Sequence, residues 1–252
     1  MRAVSGSTGA AVDLTTSRGM GRVYLYMGLA LLITAAFAFG VGALFSGLLT
    51  GWTFDLATIG QGDRSIFIIY IVTITIAAIG VLVTGIIMHV TVARGRHSAW
   101  LPYIIYSSLT GVLVSVFLVV GIDFVTLGEA FAISAIAFAV MGLIGYFSKR
   151  NLNILGMIGP VILLSLSMFG LTMMFTFIFF PKLFNVFSLI YNAVVLFVLL
   201  LMVAVDTYNV KKIMENGSTS SNICLLCAYV MYTDFINIFI RVLIILMRLR
   251  RS

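Results

Sequence analysis

Apolar stretches of about 18 to 27 residues recur along this chain, and they constrain its fold more than any other feature. Seven stand out, at about 23–49, 65–89, 100–121, 130–147, 154–180, 186–205 and 223–247. A helix of about 20 apolar residues crosses the hydrocarbon core of a bilayer, and an amphipathic core helix needs no run that long. Composition agrees. Of 252 residues, 62% are hydrophobic and 9% charged, against about 25% charged in a soluble domain. The expected fold class is therefore an all-α polytopic membrane protein with seven transmembrane helices.

Polar breaks separate the segments, and none is long enough to bury a core of its own. Residues 1–22, rich in Gly, Ser and Thr, predict a disordered cytoplasmic tail. Residues 23–247 then form a single seven-helix domain, with 248–252 as a short basic tail. The first apolar run exceeds the ~7–15 residues of a signal-peptide core, so it is expected to stay as an anchor. Pro102 and Pro160 fit early helical turns, and Pro181 is expected to close the fifth segment. Glycines at helical spacing, among them Gly28, Gly40, Gly47, Gly80, Gly142, Gly145 and Gly156, predict close helix packing in lipid.

Charge sets the expected orientation. Arg2, Arg18, Arg22, Arg94, Arg96, Lys149, Arg150, Lys211 and Lys212 fall on one face, and only Arg64 and Lys182 on the other. That imbalance of nine to two places the N-terminus in the cytoplasm. The C-terminal "MRLRRS" opposes this, because seven crossings carry its three arginines to the poor face. Either the last segment re-enters, or the earlier helices fix the topology; seven crossings is the reading adopted. The net charge of +7 does not point to nucleic acid, since the bases are scattered at segment ends without interleaved aromatics. The expected partner is the lipid bilayer.

Two acids lie within the apolar runs. Asp206 ends the sixth segment in "LLLMVAVDTYN", and Asp234 sits near the middle of the seventh in "YVMYTDFINIFI". An Asp at bilayer depth costs about 2.5–3.5 kcal/mol on insertion scales, so it faces a bundle interior or an aqueous cavity and finds a partner. If segments six and seven are antiparallel neighbours, the two acids can meet. Two carboxyls in a low dielectric would then share a proton and titrate as a unit. Such a pair can serve as a pH switch or as part of a cation path; alternatively it is a hydrogen-bonded joint between helices. Asn237 and Arg241 follow Asp234 by one and two turns and can share its face. Arg241 can meet an acid or extend to the headgroups. Glu129 heads the fourth segment, where the helix dipole also favours an acid.

Other chemistry is sparse. Cys224 and Cys227 form a CxxC without further ligands or a thioredoxin-like context, and are expected to be buried thiols. His89 and His97 are expected beside the interface with Arg94 and Arg96. No HExxH, GxSxG or P-loop is present. No enzyme activity, cofactor or resident metal is expected.

Three stretches carry a resemblance. "MYTDFINIFIRVLIILMR" is similar to the last helix of the Bax inhibitor-1 family (the transmembrane Bax inhibitor motif proteins). "VDTYNVKK" resembles the acid that ends that family's sixth helix, and "EAFAISAIAFAVMGLIGYFSKRNLNILG" its fourth helix and basic exit. The resemblance runs from about residue 129 to 247. It implies six helices around a central, acid-bearing seventh, and a pH-sensitive calcium leak with calcium as the transported ion. The gate it implies is the Asp206–Asp234 pair with an arginine at the end of the second helix, Arg94 or alternatively Arg96. Glu129 matches a recurrent acid. Asn151 departs from the usual Asp, and the second helix lacks an internal acid, which bears on how strongly a cation is held. Relatives that suppress cell death or modulate a membrane protease imply the alternative role of a regulator contacting another membrane protein. The implied location is an integral membrane site, the plasma membrane if the chain is bacterial.

Overall fold

The computed structural model describes residues 5–48, 64–94, 98–119, 121–148, 152–179, 181–217 and 220–251. Seven helices follow in order: α1 (Ser5–Leu48), α2 (Arg64–Arg94), α3 (Trp100–Val119), α4 (Phe124–Phe147), α5 (Asn153–Phe179), α6 (Pro181–Glu215) and α7 (Ser221–Arg251). No strand occurs among the described residues. All but α5 are long and apolar enough over those residues to span a membrane, and α5 is apolar along Ile154–Gly170. Large side chains such as Ile76, Leu82, Ile86 on α2 and Ile136, Leu143 on α4 are exposed. In water such surfaces would be a liability; lipid is their natural solvent. The chain is an integral membrane protein.

Several boundaries differ from those expected. Residues 5–22, expected as a disordered tail, are part of α1. Composition missed this because the ordering contact is tertiary. Thr16 and Met20 are buried, and the bare Gly19 lies where a Cβ would stand 2.6 Å from Met214 Sδ. The polar stretch after Asp206 is helical too, so α6 continues nine residues past that acid. There Lys211 pairs with Glu215 at 3.7 Å and Lys212 lies 4.6 Å from the Tyr208 ring centre, both at helical i,i+4 spacing. Pro181 opens α6 instead of closing the fifth segment, a first-turn position where its missing N–H costs nothing. Residues 248–251, expected as a basic tail, are the last turn of α7.

The packing resolves into two compact units, each drawing on parts of α1 and α7. The first comprises residues 1–20, 124–218 and 230–252. In it α4 and α5 both pack on α6. At one end of this unit Lys211 Nζ donates to the Tyr146 carbonyl at 3.0 Å, binding an unsatisfied acceptor at the end of α4. At the other, Arg250 Nη2 donates to Glu129 Oε2 at 2.7 Å and Arg250 also meets the Thr126 hydroxyl. So α4 and α6 run parallel and α7 runs against both. Phe131 and Phe138 of α4 stack edge-on with Phe235 of α7. Backbone meets backbone closely at Gly145, where a Cβ would stand 2.2 Å from the Ala204 carbonyl oxygen.

The second unit comprises residues 21–123 and 219–229. Here α2 packs on α3. Thr34 Oγ1 donates to the Ser107 carbonyl at 3.0 Å, and Tyr103 Oη to the Tyr26 carbonyl at 2.9 Å, joining α1 to α3. The start of α7 reaches this unit through Asn222, whose Oδ1 accepts from the Ala99 amide at 3.2 Å. The end of α3 is closed by Gly121 at φ +81°, with Ile122 N donating to the Phe117 carbonyl and Gly121 N to that of Leu118. A left-handed glycine there satisfies the last carbonyls of the helix. Of the glycines expected to sit in tight contacts, Gly80, Gly145 and Gly156 do so, while Gly28 and Gly40 face open space.

Candidate functional site: a carboxyl pair between α6 and α7

Helices α6 and α7 meet antiparallel within the first unit, and this brings the two part-buried acids together. Thr207 Oγ1 lies 3.8 Å from Met231 Sδ, and beside that contact the Asp206 and Asp234 carboxyls are hydrogen-bonded. The surround is apolar, with Met202, Val203, Val205, Met231, Tyr232, Phe235 and Ile238 all buried. Two carboxylates offer only acceptors, so this hydrogen bond needs a proton on one of them. The second oxygen of Asp234, Oδ2, is buried without a hydrogen-bond partner. A buried acceptor left bare is costly. The pair therefore has one proton-dependent bond and one unfilled acceptor in a dry place, and gaining or losing a proton must change how α6 and α7 are held.

The remaining expected residues lie elsewhere. Glu129 is not in the first turn of α4, so the dipole reading does not apply; its partner is Arg250. Asn237, expected to share the face of Asp234, is exposed. Arg94 ends α2, is exposed, and belongs to the second unit. Arg96, His97 and Asn151 lie outside the described residues. His89 is exposed and meets Tyr229 edge-on at 5.5 Å. Cys224 and Cys227 are buried thiols outside any disulfide, and no cluster of three or more His, Cys, Asp or Glu occurs among the described residues.

Arg241 does stand on α7, but its partner is neutral. Its Nη1 donates to Asn192 Oδ1 at 2.8 Å, and the guanidinium lies 5.5 Å from the Tyr191 ring centre. Asn192 is fixed in turn by donating to the Ser188 carbonyl at 2.7 Å. Sequence reading that followed the acids passed over Asn192. The available signal was an amide and a tyrosine inside the apolar run "SLIYNAVVL", since polar groups at bilayer depth find partners on other helices.

The model of the family described as Inhibitor of apoptosis-promoting Bax1 matches residues 16–251. Comparison with curated proteins and with solved structures gave no match. The family match takes in six of the seven helices whole and α1 from Thr16 onward, including both acids and the helices that hold them. The chain belongs to the Bax inhibitor-1 family.

Proposed function

We propose that this protein is a pH-responsive cation leak, with calcium as the ion, and that the Asp206–Asp234 pair is its latch. The observation that carries the reading is the carboxyl–carboxyl hydrogen bond joining α6 to α7, which exists only while a proton is present. Ionisable groups at bilayer depth mark ion and proton paths. Removing the proton replaces a bond between the helices by repulsion, and the same two oxygen-rich groups then attract a hard cation. An ion would touch these carboxyls in passing, without a resident site of six to eight oxygens. The charged groups nearest along the two helices are occupied, Lys211 by the Tyr146 carbonyl and Glu215 and Arg241 by Asn192. Arg94 is the proposed counter-charge. Six helices around α7 is the proposed arrangement, supported by the burial of α7, whose only exposed large hydrophobic side chain among the described residues is Leu249.

The test is Ca²⁺ flux into liposomes holding the purified protein, from about pH 5 to 8, with Asp206→Asn and Asp234→Asn beside the unaltered chain. A pH-dependent flux that either substitution abolishes or makes pH-blind supports the latch. Folded protein with no flux above empty liposomes overturns it and favours a non-conducting regulator that contacts another membrane protein.

A further inference from the structure

The α6–α7 seam holds a second polar centre. From Asp234 to Arg241 is seven residues, close to two turns, and from Asn192 to Asp206 is fourteen, close to four. Asp234 and Arg241 therefore lie on one face of α7, and Asp206 and Asn192 on one face of α6. The arginine is anchored. Its guanidinium donates to the Asn192 oxygen on one side and lies over the Tyr191 ring on another; Tyr191 Oη donates across to the Leu166 carbonyl of α5 at 3.0 Å. Three helices thus fix the position of one charge. Arg241 forms no ion pair among the described residues, and arginine does not lose its proton in a protein. What the network builds is an uncancelled positive charge, held still, on the seam that carries the acid pair.

We infer that Arg241 is the charge filter of the proposed leak, a fixed barrier that restrains divalent more than monovalent cations; this rests on the leak reading above. On the leak reading the ion's path runs along this seam between the acid pair and the Glu129–Arg250 end, past Arg241. Coulomb repulsion is proportional to the ion's charge, so the barrier against Ca²⁺ is twice that against K⁺. At about 10 Å from the guanidinium, and between surface-like and water-like screening, removing the charge raises monovalent flux about 2- to 15-fold and divalent flux by about the square of that factor. A loosened bundle would raise both alike. Asn192 is the positioning residue: its oxygen takes the guanidinium without neutralising it.

Ca²⁺ and K⁺ fluxes are to be measured in the same liposomes for the unaltered chain, Arg241→Gln, Arg241→Lys and Asn192→Asp. Arg241→Gln deletes the charge and should raise the Ca²⁺:K⁺ flux ratio. Asn192→Asp keeps the arginine but cancels its field with a carboxylate of nearly the same shape, and should raise the ratio without depending on how the glutamine variant folds. Arg241→Lys keeps the charge and should hold the ratio near its original value. An unchanged ratio in Asn192→Asp, or equal increases for both ions, overturns the inference while leaving the leak intact. Absence of flux for either ion in every folded variant overturns the leak reading itself.

Discussion

Substituting Gly145 by alanine tests whether the α4–α6 contact positions the acid pair. A Cβ there would stand 2.2 Å from the Ala204 oxygen and 2.8 Å from its carbonyl carbon and Cα. These are backbone atoms, which cannot rotate away. Ordinary contact needs about 3.4 Å, so the two helices must part by about 1 Å. Overpacking of this kind costs about 1–3 kcal/mol, equivalent to roughly 2–12 °C in Tm for a chain of this size. Asp206 follows Ala204 by two residues, so a displacement of α6 reaches its bond to Asp234. The assay is thermal unfolding in detergent read by a thiol-reactive dye, since the Cys224 and Cys227 thiols form no disulfide and are buried until the fold opens. Flux against pH is measured on the same preparation. Gly28→Ala is the control, as nothing lies within 4 Å of its added Cβ, and it should be neutral or slightly stabilising. If Gly145→Ala matches Gly28→Ala in both Tm and pH profile, the close approach does not position the pair.

Asp234→Asn should flatten the pH profile at the level the unaltered protein shows near pH 5, because an amide donates to Asp206 without needing a proton, the state that acid supplies to the original pair; retention of the original profile in liposome flux would contradict this. Tyr103→Phe removes only the hydroxyl that donates to the Tyr26 carbonyl, in a side chain 1% exposed, and should lower stability by about 0.5–1.5 kcal/mol in the dye assay. Glu129→Gln should cost no more than about 0.2–1 kcal/mol, since both side chains of the Glu129–Arg250 bridge are nearly half exposed and surface pairs are weak; a loss of several kcal/mol would show that this bridge anchors α7.

What the sequence could determine by itself is what depends on short, contiguous stretches. Hydropathy over about 20 residues is a local property, so the membrane class, the number of helices and the isolation of Asp206 and Asp234 in apolar runs were legible. Their mutual approach was legible as well, because consecutive helices in a bilayer run antiparallel and buried acids find partners. Helix ends were not, since "DTYNVKK" and the first 22 residues are polar and look like breaks; α6 and α1 continue there because Met214 and Gly19 pack against each other. Partners of long side chains were not legible either. Arg241 could reach an acid, a headgroup or an amide from its position on α7, and only the juxtaposition of α6 selects Asn192. Arg250 likewise meets Glu129 because α4 and α7 are antiparallel, which sets an acid against the C-terminal charge that the seven-crossing topology had left unexplained. A helix fixes which residues share its face; which neighbour that face meets, and at what register, is decided only when the helices pack.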